Sequence, residues 1–185
     1  MTVNFEGRPS DSPFVERIWR TQTEQAGSFI SAADVHWEMV VSRYEGKTTL
    51  TVRGPETKAT PASFPAGCEF FGINFKLGTY MPHLPAKTVV DRRDLTLPEA
   101  SSKSFWFHGA AWQFPDFENA DTFLNRLVHE GLLAHEPVVD AVLQGREPDL
   151  SLRAVQYRFL HATGLTQTAV RQIERAQLAT ALLVG

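Results

Sequence analysis

Cysteine is almost missing from this chain. Cys68 is the only one in 185 residues, so an internal disulfide is excluded and a cytoplasmic location is expected. Its setting, "PAGCEFFGI", reads as the entry to a buried strand and gives the thiol a structural role. Long apolar runs are missing too. None approaches the roughly 20 residues that a membrane span needs, and "MTVNFEGRPSDSP" has no signal-peptide core. No membrane partner is expected. There is little excess of charge. The formal net charge is -3, without the bulk basic surface that tight non-specific nucleic-acid binding by this chain alone would need. No Ser-His-Asp arrangement, nucleotide-binding glycine loop or acid pair stands out. Internal repeats and low-complexity tracts are absent.

What is present suits a globular chain. Hydrophobic residues make up 43% of it, enough for a real core in one or two domains. The charge is unevenly placed. The tail from residue 151 holds Arg153, Arg158, Arg171 and Arg175 against the single acid Glu174, a balance of +3, which leaves -6 on residues 1–150. Such a split predicts two modules with different partners.

Residues 13–107 read as β. "WEMVVSRYEGKTTLTVRG" holds two β-rich runs joined by Glu45-Gly46, as in a hairpin. "CEFFGINFKLG" is a third strand, with Phe71, Ile73 and Phe75 on one face and Gly72 as a bulge or bend. "KSFWFHG" is a fourth. Short strands separated by Pro and Gly favour a sandwich or small barrel. After Pro115 the period changes. "NADTFLNRLVHEGLL" spaces Phe123, Leu124, Leu127 and Val128 as a helix does, capped by Asn119 or Asp121 and stopped by Gly131. "EPVVDAVLQG" is a second helix, with Pro137 in its first turn and Gly145 after its end. The expected fold is α+β: a cupin-like β-barrel or sandwich followed by a C-terminal helical segment. Residues 1–115 form the β-rich domain, 116–148 the connecting helices and 149–185 the basic tail.

The tail opens with "LSLRAVQYRFLHATGLTQ". Asp149 or Ser151 caps a helix. Leu152, Val155, Phe159 and Ala162 form its apolar stripe. Gly164 is placed for a left-handed helix exit, with Leu165 packing back. Thr166 or Thr168 caps a second helix that buries Val170, Ile173 and Ala176. Arg153, Gln156, Tyr157, Arg158 and His161 are left for solvent or a partner. Arginine and glutamine are residues that pair bidentately with guanine and adenine edges in the major groove.

The run "LSLRAVQYRFLHATGLTQTAVRQIERAQLATALL" resembles the first half of the DNA-binding region of AraC/XylS-type transcriptional regulators. That region has a recognition helix of the form S-x-R-x-x-Q-R-x-F, a glycine turn, and a linking helix ending R-x-x-x-A-x-x-L-L. Here these are Ser151, Arg153, Gln156, Arg158, Phe159 and Gly164, then Arg175, Ala179, Leu182 and Leu183. Tyr157 stands where an arginine is usual. More loosely, "HWEMVV", "GINFKLGTYMPHLP" and "VVDRRDLTL" resemble the sensory β-domain that precedes this region in some members. The resemblance implies a transcription regulator with no enzyme activity and no cofactor. It implies DNA binding through Arg153, Gln156, Tyr157, Arg158 and His161, held weakly by this chain, and a small-molecule effector. A homodimer is compatible with it. The second helix-turn-helix of the family has no counterpart before Gly185, so the expectation is a partial DNA-reading module cut short. The supporting helix would have to come from "EPVVDAVLQG".

For the β-domain the resemblance implies a ligand cavity. Such cavities combine apolar walls with a few orienting polar groups. Trp37, Phe71, Phe75, Trp106 and Trp112 are candidate walls, and His36, Glu38 and Asn74 candidate polar contacts. The candidate ligand residues are thus headed by His36, Trp37, Glu38, Phe71, Asn74 and Trp106. The rival reading is a small cupin-like metal-dependent enzyme with a structural helical tail. Metal sites on such barrels converge several imidazoles and a carboxylate, commonly from an H-x-H pair. No two of the six histidines lie two apart, and only His36 and Glu38 share a strand face, so no metal is expected. His129 and His135 read as surface residues.

Overall fold

The computed structural model describes residues 4–91 and 95–184. In chain order the strands are β1 (Asn4–Arg8), β2 (Val15–Gln22), β3 (Gly27–Ser31), β4 (Glu38–Tyr44), β5 (Lys47–Arg53), β6 (Thr60–Phe64), β7 (Glu69–Phe75), β8 (Thr79–Tyr80), β9 (Leu95–Thr96), β10 (Glu99–Ser101), β11 (Ser104–Phe107), β12 (Ala110–Gln113) and β13 (Ala134–His135). The helices are α1 (Ala120–His129), α2 (Pro137–Leu143), α3 (Leu152–Thr163) and α4 (Gln167–Val184). The class is α+β. One antiparallel sheet has the order β1-β2-β7-β4-β5-β9, a second the order β10-β11-β12, and two ribbons pair β3 with β6 and β8 with β13. The larger sheet runs from edge β1 to edge β9, and no closed barrel forms among the described residues.

The local chemistry explains the central strands. Glu45 (φ 49°) and Gly46 (φ 76°) turn β4 into β5, with both residues in the left-handed region that a tight hairpin needs. His108 (φ 48°) and Gly109 (φ 75°) do the same between β11 and β12. Alternation then sorts the faces. Met39, Val41, Leu50, Val52, Phe71, Ile73 and Phe75 point into one core. Glu38 lies between Arg53 on one side and Asn74 on the other, on the opposite face. The strand at β2 has no clear period in sequence because a bulge between Val15 and Arg17 interrupts its pairing with β7. Gly72, expected as a bulge or bend, sits in regular register between Trp19 and Val40.

The segment 116–148 does more than connect. Ala120, Phe123, Leu124 and Leu127 of α1 belong to the same core as the large sheet, and Phe123 meets Trp112 and Phe105 edge-on. His135, expected at the surface, is built in: it lies in β13 and its Nε2 is 2.6 Å from Asp140. His129 is exposed as expected.

A second, smaller core holds the tail to the body. It joins Val35 and Val139 to Phe159, Ala162, Leu165, Val170 and Ile173, with Leu77, Tyr80 and Val90 packed against it. Each fully buried large side chain contributes about 1.5–3 kcal/mol. Phe159 (1% exposed) and Val170 (0%) therefore fix α3 and α4 by an amount that matters against a net stability of about 5–15 kcal/mol. Ser151 Oγ accepts from the Ala154 amide at 3.2 Å, Thr166 Oγ1 accepts from the Ala169 amide at 3.1 Å, and Gly164 ends α3 at φ 74°. Two expectations of burial fail. Leu152 is 72% exposed, being on the first turn beyond the reach of the small core. Ala176 is exposed, and Gln177 turns to the body in its place.

Candidate functional site

The six candidate ligand residues separate into two environments. Trp37 (3% exposed) and Phe71 (8%) are packed in the main core with Phe75 and Trp112, so these aromatics fill the space that a cavity would occupy. Trp106 is turned outward, 49% exposed. His36, Glu38 and Asn74 come together. They line a cleft of about 200 Å³ on the outer face of the large sheet, roofed by Phe29 and Ile30 of β3 and touched by Gln177 of α4. Alternation could reveal that His36 and Glu38 share a face. It could not reveal the roof or Gln177, which arrive from distant segments.

The cleft is polar and internally paired. Asp34 Oδ1 accepts from the His36 amide at 2.8 Å and is 2.6 Å from His36 Nδ1. Arg53 Nη1 donates to Glu38 Oε1 at 2.8 Å, and Arg53 Nη2 is 4.0 Å from Glu56 Oε1. Ser31 donates to Glu56 Oε2 at 2.8 Å. Asn74 Oδ1 accepts from Trp19 Nε1 at 2.6 Å, which fixes which way its amide faces. Burial lifts the Glu38 carboxyl above its ordinary range; Arg53 opposes this, while Asp34 and Glu56 add to it. Burial alone would depress His36, but its bond to Asp34 and the charges of Asp34, Glu16 and Glu174 outweigh that and raise it.

A second hollow, of about 480 Å³, opens at one end of the sheet's inner face, over Val41, Phe71 and Phe117. Arg20 already occupies part of it. Its guanidinium lies 4.3 Å over the Phe117 ring and is paired with Glu6 at 2.7 Å and Glu118 at 3.2 Å. Cys68 is buried, its amide donating to Thr23 Oγ1 at 3.0 Å, and burial pushes the thiol up, away from the reactive thiolate. Among the described residues, no group of three or more His, Cys, Asp or Glu is arranged to hold a metal ion.

The candidate DNA-reading residues lie on α3. Arg153, Gln156, Tyr157, Arg158 and His161 are all exposed, opposite the buried Val155, Phe159 and Ala162. Arg153, Gln156 and Tyr157 share the outward face. Arg158 is at its edge, 3.7 Å from Glu136 at the N-cap of α2. His161 stacks on Tyr157 and meets Tyr80 edge-on. Further along, Leu178, Leu182 and Leu183 of α4 are at least 63% exposed. No described helix is long and apolar enough to cross a membrane.

Comparison with family models, with curated proteins and with solved structures finds no match.

Proposed function

We propose that this chain is a ligand-sensing, cupin-like β-domain joined to part of a sequence-specific DNA-reading region, as in AraC-type transcriptional regulators. The observation that carries the reading is α3. It is a 12-residue helix, capped at both ends and anchored by Val155, Phe159 and Ala162. Its free face offers Arg153, Gln156 and Tyr157. A helix that reads the major groove needs a rigid seat and an outward row of arginine and amide side chains. Helix α2 packs beside it as the supporting helix. Leu178, Leu182 and Leu183 of α4 are left exposed. The mechanism is a population shift: an effector favours one seating of the helices on the β-domain, and that seating sets how α3 meets DNA.

The test is a salt-controlled titration of the chain with a randomised duplex library. One recognition helix covers one half-site, so affinity is expected near the non-specific range of about 10⁻⁴–10⁻⁶ M. Arg153→Ala is expected to weaken the selected sequences by roughly 1–3 kcal/mol and to relax one base position. Arg158→Ala, acting on phosphate, is expected to weaken all sequences alike. Sequence selection that is unchanged in Arg153→Ala makes α3 a structural helix and overturns the assignment.

A further inference from the structure

Three buried side-chain polar atoms have no hydrogen-bond partner among the described residues: Thr21 Oγ1, Trp37 Nε1 and Trp112 Nε1. A buried donor left unpaired bears the full cost of its lost hydration, and such groups are uncommon in folded chains. Trp112 is 3% exposed. It stands on β12, where Phe123 of α1 meets its ring edge-on at 6.1 Å. It also lines a cleft of about 160 Å³ between β12 and α1.

The same cleft holds a cation without an acid partner. Arg126 is exposed, and its guanidinium lies 4.3 Å over the Trp112 ring. No acid lines the cleft. The acids on either side of it in sequence are engaged elsewhere. Asp121 is bonded to Arg8 and Ser10, Glu118 to Arg20, and Asp116 takes the amides of Glu118 and Asn119. Glu130, one turn after Arg126, is exposed and makes no ion pair with it. The hollow over Phe117 differs on this point. There Thr21 stands beside Arg20 and Arg43, and both arginines have acid partners.

The other lining groups are neutral donors and apolar walls. The spacing of Asn119, Thr122 and Arg126 puts all three along one side of α1. Asn119 Oδ1 accepts from the Asp116 amide at 2.9 Å, so its Nδ2 is the end left to donate. Thr122 adds a hydroxyl, and Phe114 and Pro115 form the wall opposite. A guanidinium stacked on a ring keeps its edge N–H groups, in the fork that matches a carboxylate. An exposed side chain changes rotamer within nanoseconds. Movement of Arg126 off the indole opens the Trp112 edge, and one carboxylate then takes an N–H from each. A single cation among neutral donors suits a single negative charge. The volume is below the roughly 300–1,000 Å³ of drug-sized sites, which limits the occupant to a small molecule.

We propose that the cleft between β12 and α1 binds the carboxylate of a small organic anion, with Arg126 as its counter-charge and the Trp112 indole N–H as its orienting donor. The site involves neither α3 nor the outer cleft, and it goes beyond the DNA-reading assignment.

The experiment uses the full chain and three probes: benzoate, its neutral counterpart benzamide, and inorganic phosphate. Calorimetric titration near neutral pH and at constant ionic strength is expected to give benzoate binding about tenfold or more tighter than either of the others. Arg126→Gln is expected to lose about tenfold in benzoate affinity while melting like the parent, since the side chain is exposed. The second readout is the Trp112 indole N–H resonance, identified in the parent by its contacts with Phe123. It is expected to move on saturation with benzoate in the parent and to stay in place in Arg126→Gln. Benzoate binding no tighter than that of benzamide overturns the proposal, as does phosphate binding as tightly as benzoate. Affinity indifferent to Arg126→Gln also overturns it, and so does an indole resonance unmoved by bound benzoate. None of these readouts involves DNA, so failure here and failure of the DNA-reading assignment are separately visible.

Discussion

The indole of Trp19 lies flat on Gly72 of the neighbouring strand, and its Nε1 donates to Asn74 Oδ1 at 2.6 Å. The absence of a side chain at Gly72 is what admits the ring, and Phe5 stacks on the indole with ring centroids 5.8 Å apart. Asn74 is thereby oriented for the cleft from below.

Gly72→Val is expected to displace Trp19, because a Cβ at this position overlaps the indole. Overpacking of this kind costs roughly 1–3 kcal/mol. The measurement is a thermal melt, with a fall of several degrees expected for a chain of this size. A parental melt would show that the indole can leave without cost.

Gly164→Val is expected to cost roughly 1–3 kcal/mol. Two effects add: the residue has φ 74°, and a Cβ would come within 2.7 Å of Val90 Cγ2 and 3.2 Å of Ala86 Cβ. The second effect predicts loosening of the tail from the body, read as faster hydrogen exchange in α3 and α4 than in β4 and β7. Equal change in both regions would mean that the turn does not govern docking.

The Asp34–His36 pair gives stability a pH signature. Burial by itself raises the Asp34 carboxyl, but the hydrogen bond and charge of His36 outweigh it, so Asp34 lies below its ordinary 3.8. His36 lies above its ordinary 6.5. A depressed carboxyl stabilises above its unfolded value and loses this as pH falls through the folded value. A raised imidazole stabilises below its unfolded value and loses this as pH rises through the folded one. The pair's contribution is therefore complete between about pH 4 and 6.5. The gap in melting temperature between parent and Asp34→Asn is expected to be widest there and to shrink as pH rises above that window. A gap independent of pH would remove the pair from the stability of this loop.

The sequence by itself determined the elements whose cause is local. The Glu45-Gly46 turn, the alternation through 69–75, the Pro137 start, the Ser151 cap and the Gly164 exit act within a few residues, and each stands where its pattern placed it. It also assigned Val155 and Phe159 to the buried side of α3. Strand β2 falls inside the stretch read as β, but it was not singled out, because its bulge breaks the period. Gly72 was misread because a glycine that admits a cross-strand ring looks the same in sequence as one that bends a strand. The tertiary structure alone decided the site. Glu38 and Asn74 are brought together by register across β4 and β7 and His36 lies just before β4, while Phe29 and Gln177 reach them from segments far apart in the chain. Trp37 and Phe71 went into the core because the inner face needed large apolar volume to fill it at close packing. Burial and long-range pairing depend on the whole packed chain, and no short window of sequence contains them.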